Sequence, residues 1–324
     1  MKFKIDGFVA AIIVVIAIAY MVPQLGRDDS PLPLDTIGSI GVSLIFFFYG
    51  LKLSREKLVS GLKNWKLHVL VQSTTFLLFP LIVLVFLPFV EGEHAHLIWL
   101  AFLFLAALPS TVSSSVVMVS IAKGNIPAAI FNASISGLVG IVITPLWMGL
   151  FIQQTSSEFD LSQIYLKLTL EILGPVLLGI ILQRYLGKYV QRYSKQLSTF
   201  DKSVILLIIY RSFAESFDQN IFGSVGVIDL LTILFASLVL FFSVYSFSGY
   251  LSRVLRFTHE DQITAQFCGT KKSLIHGTVF SKILFQNSAQ VGILLLPLMM
   301  FHAMQIFIIS IIASKKSDQG TTMR

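Results

Sequence analysis

Lys271 and Lys272 stand side by side in FCGTKKSLIHG (267–277), between two strongly apolar stretches. Adjacent ammonium groups in such a setting can hold an anion, stand where a metal cation would, or exchange protons. Thr270, Ser273 and His276 surround them with hydroxyls and an imidazole. A second polar run, PSTVSSS (109–115), places Ser113, Ser114 and Ser115 directly after Pro109 inside another apolar stretch. Hydroxyls at that density can bind a solute or ligate a hard cation through oxygen, and they can equally pack one helix on another around a proline kink. A third group belongs to two segments of similar pattern: Asn132 and Ser134 in NASISGLVGIVITPL (132–146), Asn287 and Gln290 in NSAQVGILLLPL (287–298).

Other charged residues read as structural. Lys167 with Glu171, and Arg211 with Glu215, have the i, i+4 spacing of intrahelical pairs, and Asp229 opens an apolar run. His276 and His302 are single histidines, more often hydrogen-bonded packing residues than proton carriers. Enzyme chemistry has no support: HExxH, GxSxG and paired carboxylates in a broken helix are all missing. The chain is read as not an enzyme, with no cofactor. Cys268 is the one cysteine, so no intrachain disulfide can form.

The elements that must position these groups are membrane helices. Hydrophobic residues make up 55% of 324 positions, charged residues 13%, and mean hydropathy is +0.81. That is more apolar surface than one soluble core can hide. Spanning segments need ~20 mostly apolar residues. Ten are expected, near 7–24, 36–53, 67–90, 96–122, 126–153, 163–186, 202–217, 226–252, 262–284 and 288–313. Residues 1–19 also have the shape of a signal peptide, with Ala17-Ile18-Ala19 as a cleavage site.

The net charge of +7 does not point to nucleic acid, because the basic residues cluster in short segments between apolar runs. With a cytoplasmic start, all of the 24 Lys and Arg except Arg27, Lys167, Arg211, Lys271, Lys272 and Lys282 fall on the inner side. Acidic residues such as Asp28, Asp35, Glu91 and Asp160 fall on the other. Both termini are therefore expected in the cytoplasm.

Pro109 and the 269–273 segment interrupt the fourth and ninth spans at matching places in two halves of five spans. The second half is then inverted relative to the first, as in secondary transporters. Broken backbone at membrane depth requires protein or water to satisfy it, so the two breaks are expected to share one buried polar site. Two mid-membrane lysines oppose insertion by roughly 5–7 kcal/mol on insertion scales, so neither should face lipid. A carboxylate partner, a bound anion or a water-filled cavity would offset that cost; in the last case both lysines reach a wet vestibule.

These motifs, ALPSTVSSSVVMVSIAKGN (107–125), FCGTKKSLIHGTVFSK (267–282) and GVSLIFFFYGLKLS (41–54), resemble the bile acid:sodium symporter family, most closely its cotransporter 7-like branch. The resemblance covers nearly the whole chain. It implies an all-α polytopic protein of ten transmembrane helices in two inverted five-helix repeats, with broken helices 4 and 9 crossing at mid-membrane. Panel helices 1–2 would occupy 1–66, core helices 3–5 residues 67–153, panel helices 6–7 residues 154–222 and core helices 8–10 residues 223–324. It also implies an organic anion carried between core and panel with sodium, in the cell (inner or plasma) membrane. The family's sodium ligands fall near Ser114 and Ser115, and near Ile130 and Ser134 with Asn132 close by. Its E-V-G-x-Q-N-S pattern aligns with residues 267–273, where Phe267 replaces the acid and Lys271-Lys272 replace Gln-Asn.

An ammonium 4 Å from a sodium ion repels it by about 4 kcal/mol at an effective dielectric of 20. The sodium sites are therefore expected to be degenerate, with no bound metal, one lysine filling the volume of the lost ion and leaving an electropositive pocket for an anionic solute. Transport would be sodium-independent or proton-linked. The other reading that the resemblance leaves open is a non-transporting membrane regulator affecting calcium homeostasis. Expected partners are a small-molecule anionic solute and the lipid bilayer, with no nucleic acid.

Overall fold

Long apolar runs punctuated by proline, glycine and charged turns leave the backbone one way to satisfy itself in lipid, the helix. The computed structural model describes residues 7–26, 30, 32–53, 64–111, 113–152, 161–285, 288 and 290–322. Among them every regular element is helical.

In chain order these are α1 (Gly7–Met21), α2 (Leu34–Lys52), α3 (Trp65–Ser73), α4 (Phe79–Leu84), α5 (Glu93–Ala107), α6 (Ser113–Ile121) and α7 (Ile126–Ile152). They continue as α8 (Leu161–Leu168), α9 (Gly174–Arg192), α10 (Ser194–Asp218), α11 (Val227–Val254), α12 (His259–Gly269), α13 (Leu274–Leu284) and α14 (Val291–Thr322). Wider π turns at Thr74–Leu78 and Thr169–Leu173 join α3 to α4 and α8 to α9.

Among the described residues, six helical stretches are long and apolar enough to cross a membrane: Leu34–Lys52, Trp65–Phe89, Ile126–Ile152, Ser162–Arg192, Val227–Val254 and Val291–Lys316. The protein is a multi-pass membrane protein. Of the other expected spans, those near 7–24 and 96–122 contain the shorter apolar helices Ala10–Met21 and Glu93–Ala107. The one near 202–217 lies within α10, and the one near 262–284 is divided between α12 and α13.

Contacts group the chain into two compact units. The first comprises Met1–Ser54, Asp160–Gly226 and Gly277–Leu296. There α2 packs on α9 backbone to backbone at Gly50 and Gly179, where an added Cβ would strike the Val176 or Phe47 carbonyl. Small residues at a helix crossing allow this approach, and it is a common means of association in lipid.

The second unit comprises Arg55–Phe159, Val227–His276 and Pro297–Arg324. Its interior holds both helix breaks. Pro109 has no N–H and restricts the residue before it, so Leu108 turns extended (φ −72, ψ 151) and α5 stops at Ala107. Gly140 of α7 makes room for the proline ring, since a Cβ there would lie 2.9 Å from Pro109 Cγ. On the half-helix that leads to the other break, Thr258 caps the start of α12 by accepting from the Asp261 N–H at 3.2 Å. The buried Asp261 carboxylate then accepts from Asn64 (2.6 Å) and Asn125 (2.8 Å), which fixes α12 at its polar end.

Candidate functional site: two helix breaks joined by Lys272

The two breaks touch. The Ser273 N–H donates to the Pro109 carbonyl at 2.9 Å, and the Ser110 hydroxyl donates to the Cys268 carbonyl at 2.7 Å. Ser136 of α7 closes the junction by accepting from the Ser110 N–H at 3.0 Å.

A helix that stops inside the membrane leaves its last carbonyls without backbone donors. Here three oxygens at the end of α5 find donors from other elements. Thr144 donates to Ala107 O at 2.8 Å. The ammonium of Lys272 donates to Ala106 O at 2.6 Å and Leu108 O at 2.8 Å. Its third hydrogen bond, 2.8 Å, goes to Thr75 O.

Thr75 is available because of Pro80. In the π turn the Phe79 N–H closes on Thr74 O, so residue 80 would be the donor for Thr75, and in α register it would be the donor for Phe76. A proline can serve neither. Lys272 takes the first carbonyl, and Trp147 Nε1 takes the second at 2.8 Å.

Three acceptor-only oxygens around one nitrogen require three N–H bonds, and a neutral amine has two. The arrangement is therefore that of a positive ammonium in an all-oxygen cage, at the negative end of the α5 dipole. Phe79 adds its ring face, 4.1 Å from Nζ to the centroid.

Lys271 turns elsewhere, donating to Ser114 O in the first turn of α6 at 2.7 Å. Beside it, Thr111 Oγ1 exchanges hydrogen bonds with Ser114 Oγ (2.8 Å) and Ser115 Oγ (2.9 Å). Both lysines have 0% exposure. The vestibule reading, in which both reach bulk water, therefore fails, and the hydrogen-bond partners of both ammonium groups named here belong to the second unit.

The other expected residues divide. Thr270 donates to Gln266 O at 2.6 Å, ending α12. Ser273 caps α13, its hydroxyl accepting from the His276 N–H at 3.3 Å and meeting His276 Nδ1 at 2.9 Å. Asn132 is buried and bonded to His68, Ala128 and Gln72, so its amide is already committed to the protein. Ser134 is buried on α7. Gln290 is exposed and belongs to the first unit. Asn287 and the Ser113 side chain lie outside the described residues. Lys167 and Glu171 do pair, at 3.9 Å.

Sequence reading missed Gln305, Pro80, Thr144 and Trp147. A lone glutamine and a mid-span proline in otherwise apolar runs were the available signals for the first two. The part played by backbone carbonyls has no signature in side-chain types.

The profile of the SBF-like CPA transporter family matches residues 6–317. The chain belongs to that family. A Pseudomonas aeruginosa protein of no stated function is 36% identical over 97% of this chain and 93% of its own length. The Escherichia coli protein YfeH, named for symport, is 35% identical over 97% and 94%. Sodium/bile acid cotransporter 7 of Xenopus tropicalis is 32% identical over 96% and 91%. Family and relatives place this protein among transporters.

Proposed function

We propose that the chain is a secondary transporter of an organic anion that operates without sodium, by alternating access between a core and a panel domain. In this reading its ten helices form two inverted repeats, and both termini are cytoplasmic, in an inner or plasma membrane. Span layout, charge bias and the two touching breaks support it. The observation that carries sodium independence is the Lys272 ammonium, held by Ala106, Leu108 and Thr75 carbonyls at 2.6–2.8 Å. An oxygen cage of that kind suits a hard cation, and here a covalently attached one fills it. The Xenopus relative is named for sodium; in this chain the fixed charge offers a reason for a different coupling, with proton linkage as the alternative driver.

Uptake of labelled carboxylates into vesicles containing the purified protein tests the reading. Replacing sodium by choline is expected to leave uptake unchanged, and collapsing the pH gradient distinguishes a proton-linked carrier from a uniporter. Strict dependence on sodium overturns the proposal.

A further inference from the structure

The first unit contains a cavity of about 380 Å³, within the size range of small-molecule sites. Three of its charged lining residues come from separate helices: Asp35 from α2, Arg211 from α10 and Lys282 from α13. Arg211 Nη1 donates to Asp35 Oδ1. Lys282 Nζ lies 3.7 Å from the same oxygen, and it donates to the Asp35 carbonyl (2.7 Å) and the Ser39 hydroxyl (2.8 Å). One carboxylate oxygen is thus shared by two cations.

The three side chains are not equally fixed. Lys282 is 11% exposed and Arg211 22%, whereas Asp35 is 52% exposed. The cations belong to the wall, and the carboxylate stands in the opening. Gly38 belongs to the same construction, because a Cβ there would lie 2.9 Å from Lys282 Nζ.

Charge sets the kind of guest. Lys167 is paired with Glu171, and the other charged lining residues are Arg211, Lys282, Asp35 and Glu215. With Asp35 turned away, these side chains carry one uncompensated positive charge, which a monoanion would balance. Guanidinium forks match carboxylates in geometry, and Leu207, Ile208 and Phe285 supply an apolar wall for the rest of the guest.

We propose that this cavity binds an organic monocarboxylate whose carboxylate replaces that of Asp35 on Arg211 and Lys282, Asp35 being a tethered occupant that the solute displaces. This deepens the organic-anion reading and rests on it for physiological meaning, while its test measures binding without transport.

The test is calorimetric titration of the full chain in lipid nanodiscs with benzoate. Asp35→Asn removes the internal competitor and is expected to tighten binding about tenfold, whereas Arg211→Gln weakens it by at least about tenfold. If Arg211→Gln does not fold, Arg211→Lys, which keeps the charge and loses the fork, is expected to weaken binding in the same direction. Equal affinity in wild type and the Arg211 variant, or no binding to Asp35→Asn at millimolar benzoate, overturns the proposal. Binding in this pattern without any uptake would remove the transport reading alone; uptake with binding indifferent to Arg211 would remove this site alone.

Discussion

Gln305 holds Lys272 by both of its backbone polar groups: its Oε1 accepts from the Lys272 N–H at 2.8 Å, and its Nε2 donates to the Lys272 carbonyl at 2.7 Å. Residues 271–273 are non-helical, so this backbone has no ladder of its own. The side-chain amide of α14 replaces it, which fixes the position from which the ammonium reaches its three carbonyls.

Gln305→Leu keeps the bulk and strands both backbone groups. An unmet buried donor or acceptor costs about 1–3 kcal/mol, so a loss of roughly 2–5 kcal/mol is expected. Thermal unfolding in detergent reads it as a lowered Tm. Gln305→Asn, one methylene shorter, is expected not to restore it, and an unchanged Tm in either variant would show that the clamp is dispensable.

Lys271 and Lys272 are expected to differ sharply despite equal burial. Lys272→Met orphans three buried carbonyls, each costing about 1–3 kcal/mol, and is expected to destabilise by at least about 3 kcal/mol. Lys271→Met removes a single bond to Ser114 O, which the helical ladder of α6 also serves, and is expected to cost under about 1 kcal/mol. Equal losses in the two variants would contradict the assignment of roles.

If the ammonium stands in for a metal cation, removing it should let one return. Lys272→Ala opens the cage of Thr75, Ala106 and Leu108 carbonyls, and sodium is expected to raise its Tm relative to choline. A hundredfold excess of sodium over its Kd would contribute about 2.7 kcal/mol. The wild type is expected to show no such difference. Sodium stabilising wild type and variant alike would show that the ion binds elsewhere.

The breaks themselves were legible because their causes are local. Pro109 stops α5 by its own chemistry, and Gly269 followed by Thr270 and two lysines cannot continue an apolar helix. What Lys272 touches was not legible, because its partners are backbone oxygens made available by Pro80 and Pro109, residues far away in sequence. The same limit explains Arg211. Its i, i+4 neighbour Glu215 suggested a local pair, and nothing in the spacing pointed to Asp35, 176 positions away, which accepts from its guanidinium. Lys282 stood out only as an exception to the charge bias, and on α13 it proves to be bonded to α2. Spacing reports neighbours on one helix; contacts between helices depend on packing that spacing does not encode.

Pro80 offers a test in which the usual expectation and the structural one have opposite signs. Replacing an interior helical proline by alanine generally stabilises by up to about 3 kcal/mol, since it restores a hydrogen bond and removes a clash. In Pro80→Ala the new N–H can close on Phe76 O, and α register would return Thr75 O to the Phe79 N–H. Trp147 and Lys272 would each lose an acceptor, the second a charge-assisted bond worth about 1.5–3 kcal/mol. Pro80→Ala is therefore expected to leave Tm unchanged or lower it. In a Lys272→Met background the ammonium no longer needs Thr75 O, so the same substitution should become stabilising. A double-mutant cycle gives the coupling, expected at about 1–3 kcal/mol between residues in one hydrogen-bond network. Additive effects would mean that the proline and the lysine act independently, and that the free carbonyl at Thr75 is not what holds the ammonium in place.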